Sequence, residues 1–298
     1  MIISVIVPVM IIMLGGYLFG HFSRVDHNAI SRLAMIILSP ALIFSFLVRN
    51  PLSSTEIYQI LISVLIFTII MVIVTFLIFK MMGKKHLLTP ALLSTVFPNT
   101  GNYGLPVLLL AYGEKAFSLG VVIVVINFIL MYSLGIYFAS LEDGNWKKAI
   151  YNILRLPTTY AAIAAIAVNT FHIEIPDYLY DPIKLVGDAM IPVVLLLLGI
   201  QLARTSFKGY FGVTMTSSIL KILIAPIITI GIVNLLGIGG TVAKVIILQN
   251  SMPTAVVMTI IAVEYNARSE VVANVTFLST ILSFFSITGL LYWLNILY

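Results

Sequence analysis

Long apolar segments alternate with short polar connections along all 298 residues of the chain. A helix needs about 20 mostly apolar residues to cross the hydrocarbon core of a bilayer. Ten segments approach that length, and short charged or turn-forming stretches separate them. The predicted membrane spans are 2–20, 30–48, 57–82, 88–112, 116–140, 149–171, 178–203, 210–236, 241–264 and 271–297. The pattern therefore predicts an all-α polytopic membrane protein with ten transmembrane helices.

The fourth predicted span is interrupted in its middle by residues that break helices. The run Pro98-Asn99-Thr100-Gly101-Asn102-Tyr103-Gly104-Leu105-Pro106 holds two prolines, two glycines and two asparagines. Non-helical backbone at membrane depth is tolerated only where protein buries it or where it lines a cavity. The alternative is a packing kink in which the asparagine side chains satisfy the freed backbone groups. The density of helix-breaking residues favours a functional site.

The ninth predicted span has a quieter interruption at a matching place, in the run Asn250-Ser251-Met252-Pro253-Thr254. Taken alone, this run is equally compatible with an ordinary kink. Pro40 in the second span lies 58 residues before Pro98, and Pro192 in the seventh lies 61 residues before Pro253. The spacing indicates two related halves, each with a discontinuous helix in the same position.

Five spans per half is an odd number, so the second half must enter the membrane upside down relative to the first. Paired discontinuous helices in an inverted repeat indicate a transporter site near the membrane midplane. The predicted organisation is a first five-helix repeat over 1–140, a short cytoplasmic linker over 141–148, and a second, inverted repeat over 149–298.

The distribution of Lys and Arg predicts the orientation. With the N-terminus outside, the inner connections hold eleven basic residues: Arg24, Arg32, Lys80, Lys84, Lys85, Lys147, Lys148, Arg155, Arg204, Lys208 and Arg268. The outer connections hold four: Arg49, Lys115, Lys184 and Lys244. Cytoplasmic loops carry an excess of positive charge. We therefore expect a multi-pass protein of the cytoplasmic membrane with both termini extracellular.

Composition narrows the function classes further. Hydrophobic residues make up 61% of the chain and charged residues 9%, with a mean hydropathy of +1.14, whereas soluble domains carry about 25% charged residues. The net charge of +5 comes from residues that flank the spans, so it does not indicate nucleic-acid binding. The chain has no cysteine, no phosphate-binding glycine loop and no histidines at metal-ligand spacing. No catalytic set is evident, so we expect a carrier without a cofactor or a metal site.

A broken helix exposes backbone N–H groups and the positive dipole end of its second half. Such an end suits an anion, for example a carboxylate. The predicted substrate-binding residues are Asn99, Thr100, Asn102, Tyr103, Asn250, Ser251, Pro253 and Thr254. The predicted helix-breaking residues are Pro98, Gly101, Gly104 and Pro106.

Two charged residues lie within predicted spans, and intramembrane charges are candidates for function. Asp188 could take up a coupling proton or help to hold a cation, or it could lie near the outer interface within reach of water. Lys221 could attract an anionic substrate or neutralise Asp188. It could also extend its ammonium group toward the inner surface without any role in transport.

The break at Pro98-Asn99-Thr100-Gly101-Asn102 resembles the P-N-T motif of the auxin efflux carrier family. Further matches follow in the expected order in the second half of the chain. They are Gly187-Asp188-Ala189-Met190, Gly199-Ile200-Gln201-Leu202, Met252-Pro253-Thr254 and Glu264-Tyr265-Asn266. The resemblance therefore covers essentially the full length of the chain.

This resemblance implies two inverted five-helix repeats whose fourth and ninth helices cross at their broken centres, as in bile-acid/sodium symporters. It also implies a scaffold domain and a transport domain that move in an elevator-like way. Bacterial members of the family are associated with small carboxylates such as malate and malonate, and plant members export auxin. The chain lacks the long central hydrophilic loop of the long plant carriers.

We expect a secondary transporter for small organic anions, with its site at the crossing of spans four and nine. Coupling to sodium or protons is left open, as is a homodimer in the lipid bilayer. One alternative is a sodium-coupled symporter of the bile-acid type that imports larger amphipathic anions. Another is a membrane receptor that binds a ligand without moving it, and an intramembrane enzyme is the least expected class.

Overall fold

The computed structural model describes residues 2–23, 27–140, 157–205 and 209–297. These ranges are helical throughout, apart from short turns and one bridging residue pair. The predicted linker 141–148 and the beginning of the sixth predicted span lie outside the described residues. So do five of the basic residues that predicted the orientation: Arg24, Lys147, Lys148, Arg155 and Lys208.

The described part of the first half contains seven helices. They are α1 (Ile2–Phe22), α2 (His27–Leu33), α3 (Ser39–Arg49), α4 (Ser54–Met81), α5 (Leu88–Val96), α6 (Leu105–Leu130) and α7 (Ile136–Ala139). Wide π-helical turns at Ala34–Leu38 and Met131–Gly135 join α2 to α3 and α6 to α7. Gly113 kinks α6 with a φ of 77°, a value that favours glycine. The kink lies between the fourth and fifth predicted spans.

The described part of the second half contains eight helices. They are α8 (Pro157–Thr170), α9 (Asp177–Asp188), α10 (Met190–Arg204), α11 (Phe211–Ile219), α12 (Ala225–Leu235), α13 (Gly240–Asn250), α14 (Val256–Glu264) and α15 (Ser269–Leu297). A wide turn at Leu220–Ile224 joins α11 to α12. Residues 251–255 separate α13 from α14, so the ninth predicted span is discontinuous.

Seven helical stretches among the described residues are long and apolar enough to cross a membrane: Val5–Phe22, Ala29–Arg49, Ser54–Met81, Thr100–Ala139, Asp177–Arg204, Phe211–Leu235 and Ser269–Leu297. The chain is therefore a multi-pass helical membrane protein. This count is lower than the ten predicted spans for two physical reasons: the two discontinuous spans contain short half-helices, and one stretch runs through the Gly113 kink. In addition, the residues before α8 lie outside the described ranges.

Polar contacts identify the two ends of the helix bundle. At one end, called face A, an Arg204 guanidinium nitrogen lies 3.4 Å from the Ser23 carbonyl oxygen. At the other end, face B, the Arg49 guanidinium lies 3.2 Å from the Asp177 carboxylate. The Lys115 ammonium lies 3.2 Å from the Glu56 carboxylate, which is also at face B because α4 starts there.

The helices form two packed groups. In the first group α1 packs along α10, and α3 packs against α8 and α9; in the second, α4 to α7 pack with α11 to α15. Close approach of α1 and α10 depends on glycine, because a Cβ at Gly16 or Gly199 would overlap the facing backbone of Leu196 or Met13. Small residues at such contacts are the usual means of helix association in membranes.

Candidate functional site

The two interrupted helices meet at their breaks. The Asn99 amide donates to the Pro253 carbonyl oxygen at 2.7 Å, and the Ala255 amide donates to the Phe97 carbonyl oxygen at 3.0 Å. Pro98 and Thr254 pair as a single antiparallel bridge between these bonds. Each break thus supplies hydrogen-bond partners for the non-helical backbone of the other. Such pairing is how irregular backbone is tolerated at membrane depth.

Side chains strengthen the crossing. The Thr254 hydroxyl donates to the Ser94 carbonyl oxygen at 2.6 Å, and the Thr254 amide donates to the Ser279 hydroxyl at 3.2 Å. The Tyr103 ring is fully buried, with its hydroxyl 3.3 Å from the Ser283 hydroxyl. The Ser251 hydroxyl donates to the Ile247 carbonyl oxygen of its own helix at 2.6 Å. The hydroxyls of Thr254 and Ser279 therefore help to hold the crossing together, whereas that of Ser251 bonds within its own helix.

A small cavity of about 30 Å³ lies beside the crossing, between the two helix groups. From the crossing it is lined by Pro98, Asn99, Thr100, Gly101, Asn102, Ala255, Val256, Val257 and Ile260. From elsewhere it is lined by Ser31, Ala34, Met35, Phe128, Met131, Leu197 and Gln201. A site of this size has room for about one or two water molecules. The cavity is thus narrow in this conformation.

The predicted site residues separate into two sets. Asn99, Thr100 and Asn102 line the cavity together with the helix-breaking residues Pro98 and Gly101. The remaining predicted residues do not line it and lie behind it: Tyr103, Gly104, Pro106, Asn250, Ser251, Pro253 and Thr254. Gly104 has a packing role, because a Cβ there would overlap the side-chain amide of the fully buried Gln249.

Both second half-helices begin at the cavity. The wide turn Thr100–Gly104 leads into α6, and Ala255 precedes the first turn of α14. The first N–H groups of a helix have no partner within it, and they carry a partial positive charge. Asn99 is 4% exposed and lines the cavity, and its side-chain nitrogen is buried without a partner among the described residues. Two helix N-termini therefore meet beside a cavity that Asn99 also lines.

A larger chamber of about 390 Å³ lies next to the cavity, on its face A side. The two share Ser31, Gln201, Val256 and Ile260 in their linings. The outer part of this chamber, lined by Arg204 and Glu270, is called the vestibule here. The chamber therefore lies between the candidate site and face A, the end that carries Arg204 and Arg268.

Gln201 and Ser31 line both chambers but were not predicted as site residues. The side-chain oxygen of Gln201 is buried and has no partner among the described residues. The sequence contained a signal for Gln201, which belongs to the Gly199-Ile200-Gln201-Leu202 motif. Ser31 has no comparable signal, because its place in the cavity depends on how α2 packs against the crossing.

The structure does not bring Asp188 and Lys221 together, and neither lines the cavity. The Asp188 carboxylate lies 2.6 Å from the Lys184 ammonium, and its side chain is 45% exposed. The expectation that Lys221 neutralises Asp188 is therefore wrong, and the interfacial alternative describes Asp188 better. The alternative in which Lys221 extends to the inner surface is also wrong, because its side chain is fully buried.

Among the described residues, no three His, Asp or Glu side chains lie close enough together to bind a metal ion.

Comparison with known proteins supports a transporter. The family described as "Membrane transport protein" matches residues 1–291. An uncharacterized transporter of Methanocaldococcus jannaschii is 25% identical, over 94% of each chain. Another from Methanothermobacter thermautotrophicus is 23% identical, over 95% of each chain. Auxin efflux carrier component 8 of Arabidopsis thaliana is 25% identical, over 64% of this chain and 67% of its own. The chain thus belongs to the membrane transport protein family, the auxin efflux carrier family indicated by its P-N-T motif.

Proposed function

We propose that this chain is a secondary transporter for small carboxylates, which bind at the crossing of the two interrupted helices. The observation that carries the proposal is the convergence of two half-helix N-termini on one cavity, which Asn99 also lines. Helix N-termini stabilise anions without a buried counter-charge. No lysine or arginine among the described residues lines the cavity, so the backbone supplies most of the attraction for the anion.

The proposed topology has ten spans in two inverted repeats, with both termini outside. Two contacts support this topology, because each joins helix ends that the topology places on the same side of the membrane. Arg204 contacts Ser23 at face A, and Arg49 contacts Asp177 at face B. In this topology face A is cytoplasmic, so the vestibule opens inward. The site then faces the cytoplasm in this conformation.

The proposed movement is elevator-like. The cavity lies between the two helix groups, with Leu197 and Gln201 contributed by one group and residues 98–102 by the other. A sliding displacement of the crossing group along α1 and α10 would carry the cavity from one side of the membrane to the other. This geometry favours a carrier over a receptor that binds its ligand at a fixed site.

We propose export driven by the membrane potential. A membrane potential is worth about 2.3 kcal/mol per elementary charge for each 100 mV. An anion that leaves a negative interior therefore gains free energy without a coupled ion. A sodium-coupled symporter of the bile-acid type is the competing proposal, and an imposed sodium gradient separates the two in proteoliposomes.

Ligand-dependent thermal stability tests the proposed binding class. We expect malate, malonate or indole-3-acetate to raise the melting temperature of the purified protein, because a ligand that binds only the folded state stabilises it by about 2.7 kcal/mol at 100 times its Kd. The Asn99→Ala variant should lose most of this stabilisation. The uncharged amide of the effective acid is the control ligand and should have no effect.

Flux measurements in proteoliposomes then distinguish a transporter from a receptor. Stabilisation by a carboxylate with no flux in proteoliposomes would favour a receptor over a transporter. No stabilisation by any of the three acids, or equal stabilisation of Asn99→Ala, would contradict a carboxylate site at the crossing.

A further inference from the structure

An apolar groove of about 370 Å³ runs along the side of the bundle between α1 and α15. Leu202 of α10 and two residues of α15, Ile281 and Phe284, line one side of it. The α1 residues that line it recur every three or four positions, apart from Met13, and so share one face of the helix. They are Val7, Met10, Ile11, Met13, Leu14 and Tyr17. From Val7 to Tyr17 the helix rises about 15 Å. We call this hollow the α1 groove.

The α1 groove opens away from the protein, toward the bilayer. Its rim residues Ile11 and Leu14 are exposed, whereas Met13 and Leu202 at its bottom are buried. All of its residues belong to helical stretches that are long and apolar enough to cross a membrane. At this depth the surrounding medium is hydrocarbon. An acyl chain therefore matches the groove in both shape and polarity.

The same face of α1 becomes polar one helical turn beyond Tyr17. A second hollow of about 400 Å³ lies there, at face A, and we call it the end pocket. The Tyr17 and His21 rings are parallel, with centroids 6.4 Å apart, so the groove and the end pocket follow each other along one face. Among the described residues, the lining of the end pocket contains an arginine and a histidine but no carboxylate: Gly20, His21, Phe22, Ser23 and Arg204.

The end pocket has the chemistry of a phosphate site. The Arg204 guanidinium lies 3.4 Å from the Ser23 carbonyl oxygen, which holds it beside the end of α1. A guanidinium presents a planar fork of N–H donors that matches phosphate oxygens, and the His21 imidazole can add another donor. Tyrosine rings such as that of Tyr17 commonly lie at headgroup depth. An apolar groove that ends in a cationic pocket has the charge pattern complementary to an anionic phospholipid.

We propose that the α1 groove and the end pocket together bind one anionic phospholipid. One acyl chain lies along α1 between Val7 and Tyr17, and the phosphate lies against Arg204 and His21. A free phosphate ion could occupy the end pocket but would leave the groove empty. A second copy of this chain could cover the groove but would bring no phosphate to the pocket. A phospholipid fills both.

The groove lies between the two helix groups, and its link to transport rests on the proposed function. α1 and α10 belong to one group, and α15 belongs to the group that contains the crossing. The Phe284 ring packs at 71° against the Tyr103 ring of the interrupted fourth span, with centroids 6.3 Å apart. Sliding of the crossing group would move Phe284 and Ile281 past α1 and reshape the groove. A ligand shifts an equilibrium toward the state that it binds better. The bound lipid therefore stabilises the arrangement described here.

Photo-crosslinking tests the groove without any transported substrate. The probe is phosphatidylglycerol with a photoactivatable diazirine in one acyl chain. We expect it to label residues 7–17, and we expect unlabelled phosphatidylglycerol to compete better than phosphatidylcholine. Leu14→Trp fills the groove and should reduce the label several-fold. Leu18→Trp, at an exposed position of α1 outside the groove, should leave it unchanged. Label on residues 7–17 no stronger than at the exposed Ile69 and Ile73 of α4 overturns the proposal.

Native mass spectrometry tests the end pocket. The wild type should retain phosphatidylglycerol in preference to phosphatidylcholine. Arg204→Gln should weaken the binding of phosphatidylglycerol by about tenfold or more, as expected for the loss of a hydrogen bond to a charged group. The matched control is Arg32→Gln, an exposed arginine of α2 that lines neither hollow, and it should bind like the wild type. Equal retention of the two lipids by the wild type, or equal losses in the two variants, overturns an anionic lipid. A dimer that Leu14→Trp dissociates, with no lipid adduct, assigns the groove to a second copy instead.

Distance measurements test the coupling. Because the chain has no native cysteine, spin labels at Leu185→Cys on α9 and Val263→Cys on α14 report the separation of the two groups. In bilayer discs, phosphatidylglycerol should increase the population of one distance relative to phosphatidylcholine, and Arg204→Gln should remove this effect. An unchanged distance distribution overturns the coupling. If none of the three acids is transported, the proposed function fails, while crosslinking and mass spectrometry still decide the lipid site.

Discussion

Asn99→Asp should abolish carboxylate binding while leaving the protein folded. The substitution places a fixed negative charge beside the cavity, where two helix N-termini converge. This charge competes with the bound acid for the same N-termini and repels it, and a like-charge contact of this kind costs several kcal/mol. We therefore expect a loss of affinity of about 100-fold or more for the acid that stabilises the wild type. Isothermal titration of the purified protein measures this loss.

The matched control is Asn50→Asp. Asn50 lies at the face B end of α3, outside the cavity, with its side-chain amide on the Phe46 carbonyl oxygen. This variant adds the same charge to the protein and should bind the acid within a few-fold of the wild type. Similar losses in both variants would mean that overall charge, and not the crossing, determines affinity.

Thr254→Val should disable transport by loosening the crossing. Valine keeps the shape of threonine but removes the hydroxyl that ties α14 to the carbonyl oxygen of Ser94. The loss leaves a buried acceptor unpaired, which costs about 1–3 kcal/mol. Because this bond joins the end of α5 to the start of α14 at the crossing, we expect the uptake rate in proteoliposomes to fall by more than the loss of folded protein explains.

Thr229→Val is the matched control for this change. The Thr229 hydroxyl is also buried and also donates to a carbonyl oxygen, but that oxygen belongs to Ala225 on its own helix. This variant should keep near-wild-type transport, since no bond between the two halves is lost. Equal loss of transport in the two variants would contradict a special role for the Thr254 bond.

The sequence predicted the interruptions because proline and glycine disrupt helices in any context. Pro98 and Pro253 marked both breaks, and the structure brings these two breaks into backbone contact. The membrane class followed from hydropathy alone, because a bilayer requires long apolar helices. These features depend on local chemistry, which a single sequence contains.

The division of the predicted site could not be read from the sequence. Asn99 and Tyr103 are four residues apart in one motif, yet Asn99 lines the cavity and Tyr103 packs behind it against Ser283. The wide turn at Thr100–Gly104 determines which side chain faces the cavity, and its geometry depends on contacts with the ninth span. The pairing of Asp188 with Lys184 was missed although the sequence contained its signal, because both residues lie four apart in the predicted span 178–203.

In our proposal a carboxylate binds between the two half-helix N-termini. Anomalous X-ray diffraction from crystals grown with a brominated carboxylate, such as bromosuccinate, bromomalonate or bromoindole-3-acetate, locates the bound anion directly. We expect a bromine peak in the cavity, within contact distance of Asn99 and Val256, and its loss in Asn99→Asp. A peak only in the vestibule beside Arg204, or an unchanged peak in Asn99→Asp, would contradict a carboxylate site at the crossing.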